Sequence, residues 1–70
     1  MNIIKNNCYT KQGFDFRVDS EVSIIKCMEI YFVVKVTTIS GFLEDKQVIT
    51  TDPTNEYNGA LLDYYRLIDN

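Results

Sequence analysis

Between Met28 and Ile39 the chain alternates with a period of two. Met28, Ile30, Phe32, Val34 and Val36 hold the even positions, while Glu29, Lys35 and Thr37 fall on odd ones. Tyr31 and Val33 interrupt that polar side, so the second face is only partly wet. β-Branched and aromatic residues lose rotamer freedom in a helix but pack well on a pleated surface. The stretch therefore predicts a strand with its even face on a core, the spine of an antiparallel sheet.

The flanking pattern predicts the neighbours. Residues 1–12 read as two short extended pieces broken at Asn6-Asn7, because asparagine tolerates turn conformations, and Gln12-Gly13 reads as a turn. Phe14, Phe16 and Val18 alternate with Asp15 and Arg17, a half-buried strand. Asp19-Ser20-Glu21 is a polar break before Val22 and Ile24. A three-residue loop there pairs Val18 with Val22 and Phe16 with Ile24, keeping all four on the core side. A helix through 20–28, capped by Asp19 or Ser20, is the rival; Glu29 spoils its stripe, so strand is preferred. Residues 22–39 are too long for one straight strand and require a bulge or bend near Lys26-Cys27.

After Ile39 two turn signals compete. With Glu44-Asp45-Lys46 as the hairpin tip, Phe42 pairs with Val48, Gly41 pairs with Ile49, and Gly41 marks a bulge. With Ser40-Gly41 as the tip, Glu44 faces Thr37. Either way Gln47–Thr51 returns as a strand. Asp52-Pro53-Thr54 then opens a helix, with Asp52 as N-cap and Thr54 as the rival cap, and Asn58-Gly59 can delay its regular part by a turn. Tyr57, Leu61, Tyr64, Tyr65 and Ile68 share one face at helical spacing, opposite Glu56, Gly59, Asp63, Arg66 and Asn70. Leu62 projects away from that stripe. The expected fold class is α+β: an antiparallel sheet of three to five strands with one C-terminal amphipathic helix packed on one face.

Seventy residues make a single domain, 1–70. A core of this size supplies about 3–5 kcal/mol of net stability, and such chains often gain more from a partner or self-association. Two cysteines, Cys8 and Cys27, with no apolar leader before them, read as reduced thiols in a cytoplasmic protein. No apolar run is long enough to cross a bilayer. The net charge of −3 argues against direct contact with nucleic acid or an anionic membrane.

Candidate chemistry is sparse. Histidine is absent, which removes the commonest general base and the commonest metal ligand, and no Cys-x-x-Cys pair supplies a zinc site. Gly13, Gly41 and Gly59 are isolated, so no phosphate loop is present. No cofactor, metal or catalytic residue is expected, and the protein reads as non-enzymatic.

Charge is uneven along the chain. Residues 1–43 carry five bases against four acids, whereas residues 44–70 carry Lys46 and Arg66 against six acids. Glu44, Asp45, Asp52, Glu56 and Asp63 can form one negative face, with Tyr57 as an aromatic contact beside it; an ordinary solvated surface is the plainer explanation. Such a face suits a basic surface on another protein and raises its on-rate. In size, acidity and lack of catalytic residues the chain is similar in kind to small phage-encoded inhibitors, anti-CRISPR proteins and DNA mimics among them. The likeness covers no motif and transfers no functional residue. It implies a viral inhibitor that acts in the host cytoplasm and blocks a nucleic-acid-binding surface of its target. The alternative is a small structural or regulatory subunit that self-associates, as a homodimer, through exposed sheet edges.

Overall fold

The computed structural model describes residues 1–41 and 44–68. Four antiparallel strands lie in the order β1-β2-β3-β4: β1 (Asn2–Gln12), β2 (Phe16–Cys27), β3 (Ile30–Gly41) and β4 (Asp45–Thr50). One helix, α1 (Tyr57–Ile68), packs on β2 and β3. The expected α+β class is what forms.

Several local expectations are corrected. Residues 2–12 make one strand, unbroken at Asn6-Asn7, with its only register shift between Ile3 and Lys5. β2 likewise runs straight through Asp19-Ser20-Glu21, and neither Val18–Val22 nor Phe16–Ile24 is a pair. Asp19 and Glu21 need no turn because β1 satisfies their side chains, and Ser20 is buried on the other side of the strand. Thr10 Oγ1 donates to Asp19 at 2.7 Å, and Asn6 Nδ2 donates to Glu21 at 3.2 Å and to Ser23 Oγ at 2.8 Å. The bend expected near Lys26-Cys27 is a complete reversal at Met28-Glu29, with Cys27 opposite Ile30. Met28 takes the positive φ that this two-residue turn demands, 59°, and its side chain is exposed.

The spine is a strand, but its orientation is the reverse of the expectation. α1 covers the odd side of β3, where Val33 is completely buried, and not the even side bearing Ile30, Phe32, Val34 and Val36. The choice is made by β2. Its even residues Val22 and Ile24 are fully buried, whereas the odd side carries Asp19 and Glu21. Val22 sits opposite Lys35 and Ile24 opposite Val33, so the apolar face of β2 drags the odd face of β3 under the helix.

Helix phase follows the same constraint. The buried stripe is Ala60, Tyr64 and Leu67, with Leu61 and Ile68 at its margins, while Tyr57 and Tyr65 face outward, against the expected tyrosine stripe. Leu62 is exposed, as expected. The start is set by Thr54 and not by Asp52. Its Oγ1 accepts the Glu56 N–H at 3.2 Å, and its backbone exchanges two hydrogen bonds with Tyr31, at 2.7 and 2.8 Å. At the far end the Lys35 ammonium, buried beneath the helix, donates to the Leu67 carbonyl at 2.8 Å. Tyr9 reaches the Ile68 carbonyl beside it. A cation at the negative end of a helix satisfies a terminal carbonyl and the helix dipole together.

The helix spans about 18 Å, against 42 Å for the long axis of the molecule. The β1–β2 hairpin therefore runs out beyond it. Phe14, expected in a half-buried strand, sits fully exposed in the turn, and Phe16 is nearly half exposed. After β3, neither expected register forms: Val36 pairs with Val48 and Thr37 with Gln47. Phe42, the expected partner of Val48, lies outside the described residues. Gly41 is required where it stands. Its φ is +147°, and an added Cβ would lie 2.6 Å from the Asp15 carbonyl oxygen. Gly41→Ala is expected to destabilise the fold by about 1–3 kcal/mol in urea unfolding; an unchanged midpoint would contradict this backbone geometry.

Candidate functional site

The six residues singled out by charge and type do not gather at one place. Glu44 and Asp45 stand at one end of β4, whereas Asp52 follows the opposite end. Six residues of extended chain separate the two ends by about 20 Å. Asp45 accepts the N–H of the adjacent Lys46 at 2.9 Å, and it lines with Glu44 a shallow cleft of about 290 Å³ at Thr38–Ser40. Asp63 is held by Arg66 at 2.6 Å, which offsets its charge. Asp52, Glu56 and Tyr57 do share one end of the molecule. There Tyr57 packs edge-on against Tyr31 with ring centroids 5.7 Å apart, and the Lys26 ammonium lies 5.6 Å from the Tyr31 ring centroid.

A larger feature is the sheet face turned away from the helix. Its rows follow from the register, since antiparallel partners point the same way. Cys27 lies beside Ile30. Next come Ile3, Ile25 and Phe32, then Asn6, Ser23, Val34 and Thr50, then Cys8, Glu21, Val36 and Val48, then Thr10, Asp19, Thr38 and Lys46. One end of this face is apolar, and the other is polar. Ile3 is 65% exposed, Val48 60% and Ile30 45%, with Ile25, Phe32, Val34 and Val36 half-buried between them. This apolar surface is contiguous along β3, unlike the singly exposed apolar residues that any folded protein carries.

The polar end is internally satisfied. Asp19 accepts from Thr10 and from Arg17, the latter at 3.0 Å. These hydrogen bonds, chiefly that of Thr10, hold its carboxyl below the ordinary aspartate range. The pair thus favours the fold above that range and loses its effect as pH falls through the lowered value. Cys8 Sγ donates to Glu21 at 3.4 Å, and this hydrogen bond, with some desolvation and the carboxylate's charge, pushes the thiol pKa up. Cys8 is therefore a poor nucleophile at neutral pH despite its exposure. Alkylation by iodoacetamide should run slower at Cys8 than at an unstructured thiol and accelerate in Glu21→Gln. Equal rates would contradict the Cys8–Glu21 contact. Cys8 and Cys27 share the open face but lie about 20 Å apart along it, since Cys8 is opposite Glu21. No disulfide can join them within the chain.

Sequence reasoning missed the open face because β3 is apolar on both sides. The available signal was in β2, where Val22 and Ile24 oppose Asp19 and Glu21. Among the described residues no group of three acids or cysteines is placed to hold a metal ion, and no helix is long and apolar enough to cross a membrane. No family model, no curated protein and no solved structure matches the chain.

Proposed function

We propose that this chain is a non-enzymatic protein-binding module that works through the uncovered face of its sheet. The observation that carries the reading is the apolar end of that face, from Ile3 across Ile25 and Phe32 to Val34, Val36 and Val48, which no element among the described residues covers. Burying such a surface gains roughly 25 cal/mol per Å² of apolar area. Polar groups on the same face support binding over chemistry, because Asp19 and Glu21 are engaged by Thr10, Arg17, Asn6 and Cys8. Two free thiols too distant to pair suit a reducing compartment such as the cytoplasm.

The narrower reading, an acidic inhibitor lodged in a basic nucleic-acid groove, has less geometric support. Only Asp52 and Glu56, with Tyr57, share one end; they supply long-range attraction for a basic partner, not a continuous negative wall. A photo-crosslinking phenylalanine analogue tests the sheet-face reading in the producing cell. In place of Phe32 it should form a covalent adduct with a polypeptide, and in place of Leu62, on the exposed side of α1, it should not. Absence of an adduct at position 32 would count against the reading.

A further inference from the structure

We infer that a second copy of this chain covers the open face, giving a β-sandwich of two four-stranded sheets with the helices outermost. The inference rests on the reading of that face as a protein contact and names its occupant. Three observations point to self-association. The first is area. The chain exposes 5172 Å², against about 4,500 Å² expected for a compact monomer of its mass. The radius of gyration is 13.4 Å, against about 11 Å expected for its length. The surplus reflects an extended shape in which one sheet face lies open along the 42 Å axis, and a standard-sized interface buries ~800 Å² on each partner.

Charge is the second. The chain carries a net −3, but the strand residues of the open face carry Arg17 and Lys46 against Asp19 and Glu21, two of each sign. A basic partner gains nothing from a balanced face, whereas an identical face meets it without net repulsion. Symmetry is the third. Ile25 and Phe32 are cross-strand partners at one level of the sheet. A twofold axis parallel to the strands, running between β2 and β3, therefore lays each Phe32 over the Ile25 of the other copy. It sets apolar end on apolar end, and it brings Lys46 of each copy over the Thr10–Asp19 pair of the other. A twofold lying between the sheets but perpendicular to the strands would instead press the apolar end onto Asp19 and Glu21. The usual angle of about −30° between packed sheets splays the polar ends apart and leaves their charges on a wet rim. The exposed start of α1, at Tyr57 and the preceding Glu56, lies outside this contact.

Sedimentation velocity of the purified full chain, from micromolar to submillimolar concentration in high salt, tests this. The expected result is a reversible dimer that salt does not weaken. Phe32→Asp should raise its dissociation constant at least about thirtyfold while circular dichroism shows an intact fold, and Val34→Glu should act alike. Leu62→Glu, on the outer side of the helix, should leave the dimer unchanged. A wild-type chain monomeric throughout, or a dimer lost in Leu62→Glu but kept in Phe32→Asp, would overturn the inference. Anilinonaphthalene sulfonate separates the two failures. A monomer that binds the dye, and loses it in Phe32→Asp, would leave the open-face reading standing. A monomer that binds none would overturn both.

Discussion

Ile24→Ala is expected to lower the unfolding free energy by about 3–4 kcal/mol. Ile24 is fully enclosed among Val22, Val33, Ala60, Tyr64 and Leu67, and it is among the largest side chains buried in this way. Its neighbours belong to two strands and a helix fixed by backbone hydrogen bonds, so they can close the resulting cavity only in part. A domain of this size holds roughly 3–5 kcal/mol in total, so the variant should keep at most about 2 kcal/mol of it. Phe32→Ala, a larger truncation on the opposite side of the same sheet, should cost less, about 1–2 kcal/mol, at concentrations where the chain is monomeric, because its ring is only partly buried. Urea denaturation of both variants checks the contrast. Comparable losses would mean that both faces are covered.

Lys35→Ala should destabilise by about 2–3 kcal/mol. Lys35 is buried beneath the helix, and its ammonium donates at 2.8 Å to the Leu67 carbonyl, one of the acceptors that the end of α1 leaves unmatched. Hydrogen bonds to charged groups are worth about 1.5–3 kcal/mol, and the alkyl stem adds packing against the helix. Lys35→Met keeps that stem and should lose roughly half as much. Lys35→Glu sets a negative charge against the negative helix end and should prevent docking altogether. Thermal unfolding monitored by circular dichroism ranks the three. If methionine proved as harmful as glutamate, stem packing and charge could not be the separable contributions described here.

The class of fold was legible because two local signals were strong. The β-branched, aromatic alternation from Ile30 onward forms β3, and the amphipathic stretch after Pro53 forms α1. Most of what failed depends on contacts distant in sequence. Asp19-Ser20-Glu21 looks like a loop until Thr10, Asn6 and Cys8 of β1 are placed against it. The helix phase looks set by its tyrosines until Val22, Ile24 and Val33 are placed beneath it, with Ala60, Tyr64 and Leu67 against them and Tyr65 turned away. The acids looked like one surface because they are near in sequence. The extended length of β4 then put Glu44 and Asp45 far from Asp52 and Glu56.

The open face was hidden by the same degeneracy. A strand apolar on both sides satisfies a period-two pattern equally well in either orientation, so β3 alone carries no information about which side is covered. Its partner decides. Val22 and Ile24 have no use for water, and the side chains of Asp19 and Glu21 have no use for a helix. The result puts the most regular apolar alternation in the chain on the outside, where it is available to another polypeptide.

Proton cross-relaxation between α1 and the sheet reads that orientation directly. At a concentration and salt where the chain is monomeric, the Tyr64 ring should show nuclear Overhauser contacts to methyl groups of Val22, Ile24 and Val33, and none to Val34, Val36 or Val48. Contacts from Tyr64 to Val34 or Val36 would place the helix on the even side of β3 and remove the exposed apolar surface on which the proposed binding depends.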